Sequence, residues 1–95
     1  MGTANSEQPI YRRFSFFGDR VDTFRRHKWP LQMSQNLIEM AEAGFIYSGY
    51  ADSTICYSCG NGLRGWLKNE DPYEEHAWHY PDCKHLEQRK GKEFI

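Results

Sequence analysis

Three cysteines and a histidine, spaced Cys56-x2-Cys59-x16-His76-x6-Cys83, are the residues of this 95-residue chain best suited to chemistry. Zinc favours tetrahedral sites of thiolate and imidazole, and three cysteines with one histidine form a standard closed structural set. Two cysteines flanking two residues at the end of a strand let a tight turn aim both sulfurs at one ion. Three thiolates around one Zn²⁺ leave a net −1, which backbone N–H groups near Gly60 and Gly62 are expected to offset.

Other chemistries fit these residues less well. A redox Cys-x-x-Cys normally opens a helix, and Gly60-Asn61-Gly62 is a poor helix start. A finger of two cysteines and two histidines expects about twelve residues before its first histidine and three to five between the pair. Here the gap is sixteen, and only two residues separate His76 from His79. A zinc deaminase needs His-x-Glu ahead of Pro-Cys-x-x-Cys, and the order here is reversed. Four protein ligands leave no open position for a reacting water, so the metal is read as structural. No nucleophile has a base beside it, and the chain is not expected to be an enzyme. Among the other histidines, His27 is distant and expected to be exposed, and His85 follows Cys83 too closely to share its metal. His79 lies one helical turn from His76, but three thiolates leave room for one imidazole.

The elements that must position these ligands are short. A first helix is expected from Asp19, with Asp22 as a weak capping partner, carrying Val21 and Phe24 inward and ending before Trp29-Pro30. A second is expected from Ser34 as N-cap, with Leu37, Met40 and Ala41 inward and Gly44 as its stop. Phe45-Ile46-Tyr47 and Thr54-Ile55-Cys56-Tyr57 read as strands joined by a turn around Gly49 and Asp52, with a third strand from Leu63 to Leu67. Asp71 as N-cap, Pro72 at the first helical position and Glu74 as capping-box partner open a third helix, which Pro81 closes. The charged stretch from Lys84 reads as a final short helix. The expected organisation is a lead over 1–14, a domain over 15–88 and a tail over 89–95.

Composition narrows the class. The chain is 16% aromatic, which supplies a large apolar area per residue to a core too small to be stable without a staple. A net charge of −1 offers nucleic acid no basic face and an acidic membrane no attraction. No apolar run is long enough to span a bilayer, and no secretion signal is visible. Met1-Gly2-Thr3-Ala4-Asn5-Ser6 fits the loose N-myristoylation pattern, which is short. A cytoplasmic location is expected, with the nucleus also open.

The ligand spacing, together with Arg20-Val21-Asp22-Thr23-Phe24, Trp29-Pro30, Ala41-Glu42-Ala43-Gly44-Phe45, Gly62-Leu63 to Trp66 and Asp71-Pro72-Tyr73-Glu74-Glu75-His76, resembles the baculoviral inhibitor-of-apoptosis repeat, or BIR, domain. The likeness runs from about Ser15 to Leu86. It implies an α+β fold, a three-stranded antiparallel sheet surrounded by short helices, with one structural Zn²⁺. It also implies a groove that captures Ala-starting N-terminal peptides of pro-apoptotic antagonists or processed caspases, and so an inhibitor of apoptosis. Further domains, a RING or additional BIR repeats, often accompany this one in the family.

Residue by residue, the resemblance places the peptide's amine at Glu70 and Glu75. The peptide would add a strand along Gly62, Leu63 and Arg64. Trp66 would wall the pocket for the first side chain. A plainer reading stays open: acids beside a helix N-terminus suit its dipole, and Trp66 is core. His79 stands where groove-binding relatives often carry a tryptophan against the third peptide residue. Trp78 precedes it, but one helical step turns it elsewhere. Glu75 makes the amine pocket more acidic than in relatives with glutamine, and Arg64 adds a cation at the edge. His79 with Gly65-Trp66 is similar instead to survivin, the mitotic member that reads a histone tail. Asn61, however, replaces the lysine that helps bind its phosphate. A groove-less platform or dimer surface is the third alternative.

Overall fold

The computed structural model describes residues 8–91. A 3-10 turn at Arg12–Phe14 leads into helix α1, Phe17–Arg26, and then α2, Leu37–Glu42. Strands β1, Phe45–Tyr47, β2, Thr54–Cys56, and β3, Gly62–Leu63, follow, and α3, Pro72–His79, and α4, Lys84–Lys90, complete the chain. The strands form one antiparallel sheet in the order β1-β2-β3, with Phe45 opposite Cys56 and Thr54 opposite Leu63. This is the α+β arrangement the resemblance implied. No helix among the described residues is long and apolar enough to cross a membrane. The myristoylation pattern at Met1–Ser6 lies outside the described residues.

Aromatic side chains build the centre. Val21 and Phe24 turn inward from α1 as expected, and Phe24 is wholly buried. Its ring stacks on Tyr47 at 5.6 Å and meets Trp29 edge-on at 5.2 Å, while Trp29 and Tyr47 meet edge-on at 5.0 Å. Offset and edge-on pairs at these separations add to plain burial, so three side chains from α1, the following turn and β1 are locked together.

Several boundaries differ from the sequence reading, each because a distant group intervenes. Helix α1 starts two residues before Asp19, behind Phe16, which supplies no side-chain cap. Helix α2 is capped by Asn36, whose side chain accepts from Glu39 N–H at 2.8 Å; the Ser34 hydroxyl instead accepts from Asn69 N–H. Strand β3 stops at Leu63, well short of Leu67. The Asp52 carboxylate takes the N–H groups of Gly65 (3.1 Å) and Trp66 (2.7 Å), and Gly65 sits at φ +72°, so the chain leaves the ladder there. The stretch read as a lead is tied down over residues 10–15: Ile10 and Tyr11 N–H bond the carbonyls of Ser58 and Tyr57 at 3.1 and 2.9 Å.

Gly44 does stop α2, at φ +103°. A Cβ there would stand 2.9 Å from the His85 ring and 3.4 Å from Cys56 Sγ, so no larger residue fits between α2 and the cysteine cluster. Helix α3 starts as expected at Asp71-Pro72, although only the Asp71 half of the capping box forms, to Glu74 N–H at 3.1 Å. Asp71→Ala is expected to cost about 1 kcal/mol in urea unfolding of the metal-loaded domain; an unchanged midpoint would mean that the cap contributes nothing.

Candidate metal centre and the adjoining sheet edge

Strand β2 ends on Cys56, and a hydrogen bond from Gly60 N–H to the Cys56 carbonyl (3.0 Å) closes the turn that brings Cys59 back beside it. Helix α3 delivers His76, and Cys83 is the N-cap of α4. The ligand atoms of these four residues all lie within 4.8 Å of one another. Cys56 Sγ is 3.7 Å from Cys83 Sγ, and Cys59 Sγ is 3.7 Å from His76 Nε2. A tetrahedron with bonds of about 2.3 Å to sulfur and about 2.0 Å to nitrogen has edges of roughly 3.5–3.8 Å. The four groups could therefore hold one metal ion of zinc's size.

The imidazole is fixed for that role. His76 Nδ1 lies 2.8 Å from the Ala43 carbonyl, an acceptor only, so Nδ1 donates a proton there and Nε2 is the nitrogen that faces the sulfurs. The ring is wholly buried and tilted against Phe45 at 4.7 Å. Burial lowers its pKa, but the Cys59 and Cys83 sulfurs outweigh this and raise it to about 9. Hydrogen bonds from the Cys56 and Cys59 thiols draw the Cys83 thiol down. Hydrogen bonds to Cys59 and Cys83, with burial, push the Cys56 thiol up, so the cluster retains protons that a divalent cation would displace. The amide that offsets sulfur charge is Ser58 N–H, 3.2 Å from Cys56 Sγ. Gly60 N–H, expected in that role, goes to the Cys56 carbonyl because the tight turn aims the earlier amide at the sulfur.

The remaining histidines stay outside the cluster. His27 is exposed, as expected. His85 is buried and donates from Nε2 to the Glu42 carbonyl at 2.8 Å, so its Nδ1 accepts from the Tyr57 hydroxyl at 2.9 Å. Burial lowers its pKa to about 4. His79 is exposed, with Nε2 3.7 Å from Glu75 Oε1.

Beside the metal cluster, β3 is an edge strand, with Gly62 and Arg64 exposed and Leu63 half-buried. A Cβ on Gly62 would meet the Thr54 carbonyl at 3.2 Å, so the glycine already serves close strand pairing. Glu70 and Glu75 are half-buried. One oxygen of Glu70 accepts from Leu67 N–H at 2.8 Å. Trp66 is buried, edge-on to Phe45 at 5.5 Å, and its Nε1 has no partner among the described residues. Trp78 is 81% exposed and points away, as one helical step requires.

Residues with no role assigned from sequence hold this edge in place. Gln35 is buried, and its amide donates to the carbonyls of Leu67 (2.7 Å) and Glu70 (3.0 Å), pinning the loop that carries Glu70. The Tyr80 hydroxyl donates to the Gly62 carbonyl at 2.8 Å, bracing β3 from the end of α3. Arg20 is 3% exposed. Its Nε donates to the Ala41 carbonyl (2.8 Å), its Nη1 to those of Phe14 and Ser15 (both 3.0 Å), and its guanidinium lies 4.5 Å over the Tyr57 ring. An arginine among apolar helix positions was the available signal for burial, but its partners lie up to 21 residues away.

Comparison with known proteins agrees with this geometry. The family model described as "BIR: Inhibitor of Apoptosis domain" matches residues 20–87. The chain is 34% identical over 87 residues to "Apoptosis inhibitor IAP" of Cydia pomonella granulosis virus, covering 92% of this chain and 31% of the relative. It is 39% identical over 85 residues to "Apoptosis inhibitor 1" of Autographa californica nuclear polyhedrosis virus, covering 90% and 29%. It is 42% identical over 79 residues to "E3 ubiquitin-protein ligase XIAP" of Xenopus laevis, covering 83% and 15%. The chain thus spans less than a third of the length of these relatives. Among solved structures, DIAP1 BIR1 bound to a Grim peptide superposes with a TM-score of 0.69 at 27% identity, covering 78% of this chain and 73% of that one. The autoinhibited form of that BIR1 domain superposes equally well, covering 78% and 69%. With a family match over residues 20–87 that spans the sheet and all four residues of the cluster, the chain belongs to the BIR family of inhibitor-of-apoptosis binding modules.

Proposed function

We propose that this domain suppresses apoptosis by capturing the Ala-starting N-termini of pro-apoptotic antagonists or processed caspases. The outer side of β3, which pairs with no strand among the described residues and has the Tyr80 hydroxyl on its Gly62 carbonyl, is the observation that carries this reading, together with the half-buried carboxylates of Glu70 and Glu75. A peptide added to that edge bonds the backbone of Gly62, Leu63 and Arg64. Its terminal ammonium meets Glu75 and the Glu70 oxygen that Leu67 does not use, a charge-assisted contact. The Trp66 ring limits the first side chain to a methyl. His79 gives the third residue a smaller, more polar contact than a tryptophan would, and Arg64 favours acidic or small side chains on the ligand. The metal is one structural Zn²⁺, which the donor set and spacing suit. Its thiolates are at home in the reducing cytoplasm, where this reading places the domain. A peptide bound to the BIR1 domain of DIAP1 in the superposing structure supports the same mode.

The test is a calorimetric titration with an Ala-starting antagonist peptide, its N-acetylated copy, and a histone-tail peptide with and without a phosphothreonine. Acetylation and Glu70→Ala are each expected to weaken binding about tenfold or more, the worth of a charged hydrogen bond. Preference for the phosphorylated histone tail would favour the mitotic-adaptor reading, and binding to none would leave only a groove-less platform.

A further inference from the structure

On the flank of the molecule formed by the end of the N-terminal segment, α1 and α4, a concavity of about 240 Å³ is lined by Ser15, Arg20, Tyr57, Gln88 and Arg89 among others. None of the residues assigned to the peptide edge lines it, so a role for this flank is independent of the proposed function. Its charged lining is two arginines, Arg20 and Arg89, with no carboxylate. Arg20 is 3% exposed, its Nε and Nη1 are spent on backbone carbonyls, and no carboxylate pairs with it among the described residues. Its Nη2 makes no hydrogen bond among those residues. A buried cation is normally matched by a nearby negative charge, yet the second charged residue lining this concavity is another arginine.

The sequence over the rim points to what could fill the gap. Ser15 stands in Arg12-Arg13-Phe14-Ser15-Phe16, with arginines three and two residues before it and an apolar residue after it. Serine kinases with acidic substrate clefts select that pattern by charge complementarity and a small apolar pocket. Arg12, Arg13 and Ser15 are exposed, and Phe16 is 75% exposed with no core position to fill. The Ser15 hydroxyl makes one hydrogen bond, to the Arg12 carbonyl at 2.7 Å. Around the acceptor a kinase must loosen two turn bonds, Phe14 N–H to Tyr11 and Ser15 N–H to Arg12 (both 3.0 Å), and the Arg20 Nη1 bonds to the carbonyls of Phe14 and Ser15 (both 3.0 Å). Ser15 also directly precedes the N-cap of the ten-residue α1, where added negative charge suits the helix dipole.

We propose that Ser15 is a phosphorylation site for a basophilic serine kinase and that its phosphate is received within the same chain by Arg20 and Arg89. In the transfer the Ser15 Oγ bonds the γ-phosphorus of ATP, the bond to the β-phosphate oxygen breaks, ADP leaves, and the hydroxyl proton passes to the kinase's base. The phosphate adds a negative charge beside Arg20, which no carboxylate pairs among the described residues, and ties the N-terminal segment to α4.

Treatment of the metal-loaded protein with the catalytic subunit of cAMP-dependent protein kinase and ATP, followed by mass mapping, tests the first half. One phosphate on Ser15 is expected, absent in Ser15→Ala and slowed about tenfold or more when Arg12 and Arg13 are both changed to Gln. A phosphate on another residue, or labelling of a free peptide spanning residues 8–20 but not of the folded protein, overturns the assignment. Phosphorus NMR tests the second half. The second ionisation of the phosphate in the folded protein is expected at least about half a pH unit below that in the labelled free peptide, because nearby cations favour the dianion. Arg89→Gln should move it back toward the peptide value. An ionisation equal to the peptide's, or one that Arg89→Gln leaves unmoved, overturns the pocket.

Discussion

Stripping the metal from this domain with an excess of a strong chelator at neutral pH is expected to unfold it, and peptide binding should vanish in parallel. Structural zinc contributes an apparent ~10–16 kcal/mol in small finger peptides, at least as much as the roughly 5–15 kcal/mol that keeps an ordinary domain folded. Here the ion would join β2, the turn after it, α3 and α4, elements that otherwise share few side chains. The helix that delivers His76 also carries Glu75 and His79, and the turn that delivers Cys59 leads straight into Gly62. Loss of the ion should therefore erase the edge without any metal–peptide contact. Near-ultraviolet dichroism from the Phe24–Trp29–Tyr47 cluster is the readout, expected to collapse on chelation and return with added Zn²⁺. Cys83→Ser and His76→Ala should behave like the stripped protein. A chelated domain that kept its near-ultraviolet signal, or still bound peptide, would sink this coupling.

Arg20→Met should be the most damaging substitution outside the cysteine–histidine cluster, at about 3–5 kcal/mol in urea unfolding with metal in excess, since three hydrogen bonds from a charged donor are lost. The change keeps much of the side chain's volume but removes the charged donor to the Ala41 carbonyl, which keeps its bond from Gly44 N–H at 3.0 Å, and releases the carbonyls of Phe14 and Ser15. A hydrogen bond from a charged donor is worth about 1.5–3 kcal/mol, and the stacking on Tyr57 is lost as well. Arg20→Lys restores the charge but not the planar fork that reaches carbonyls in two directions, so it should recover less than half of the loss. A cost below about 1 kcal/mol for Arg20→Met would show that the N-terminal segment is held by other contacts.

The sequence alone singled out the four residues that the structure gathers into one cluster, because thiolates and an imidazole at those spacings have few other uses and three of them are set by local devices. A tight turn places Cys56 and Cys59, and a capped helix opening at Asp71-Pro72 places His76. The same locality made the strands, the inward face of α1 and the Gly44 stop legible. What only the tertiary structure decided came from side chains reaching across the fold. Asp52 ends β3 by capturing two amides of a loop 13 and 14 residues away, and Gln35 pins the Glu70 loop across a separation of 35. Arg20 draws the N-terminal segment onto α1 so that the helix begins without a cap of its own. Such bonds depend on which elements the sheet and the cysteine–histidine cluster bring together, and no periodicity or cap signal along the chain records that proximity.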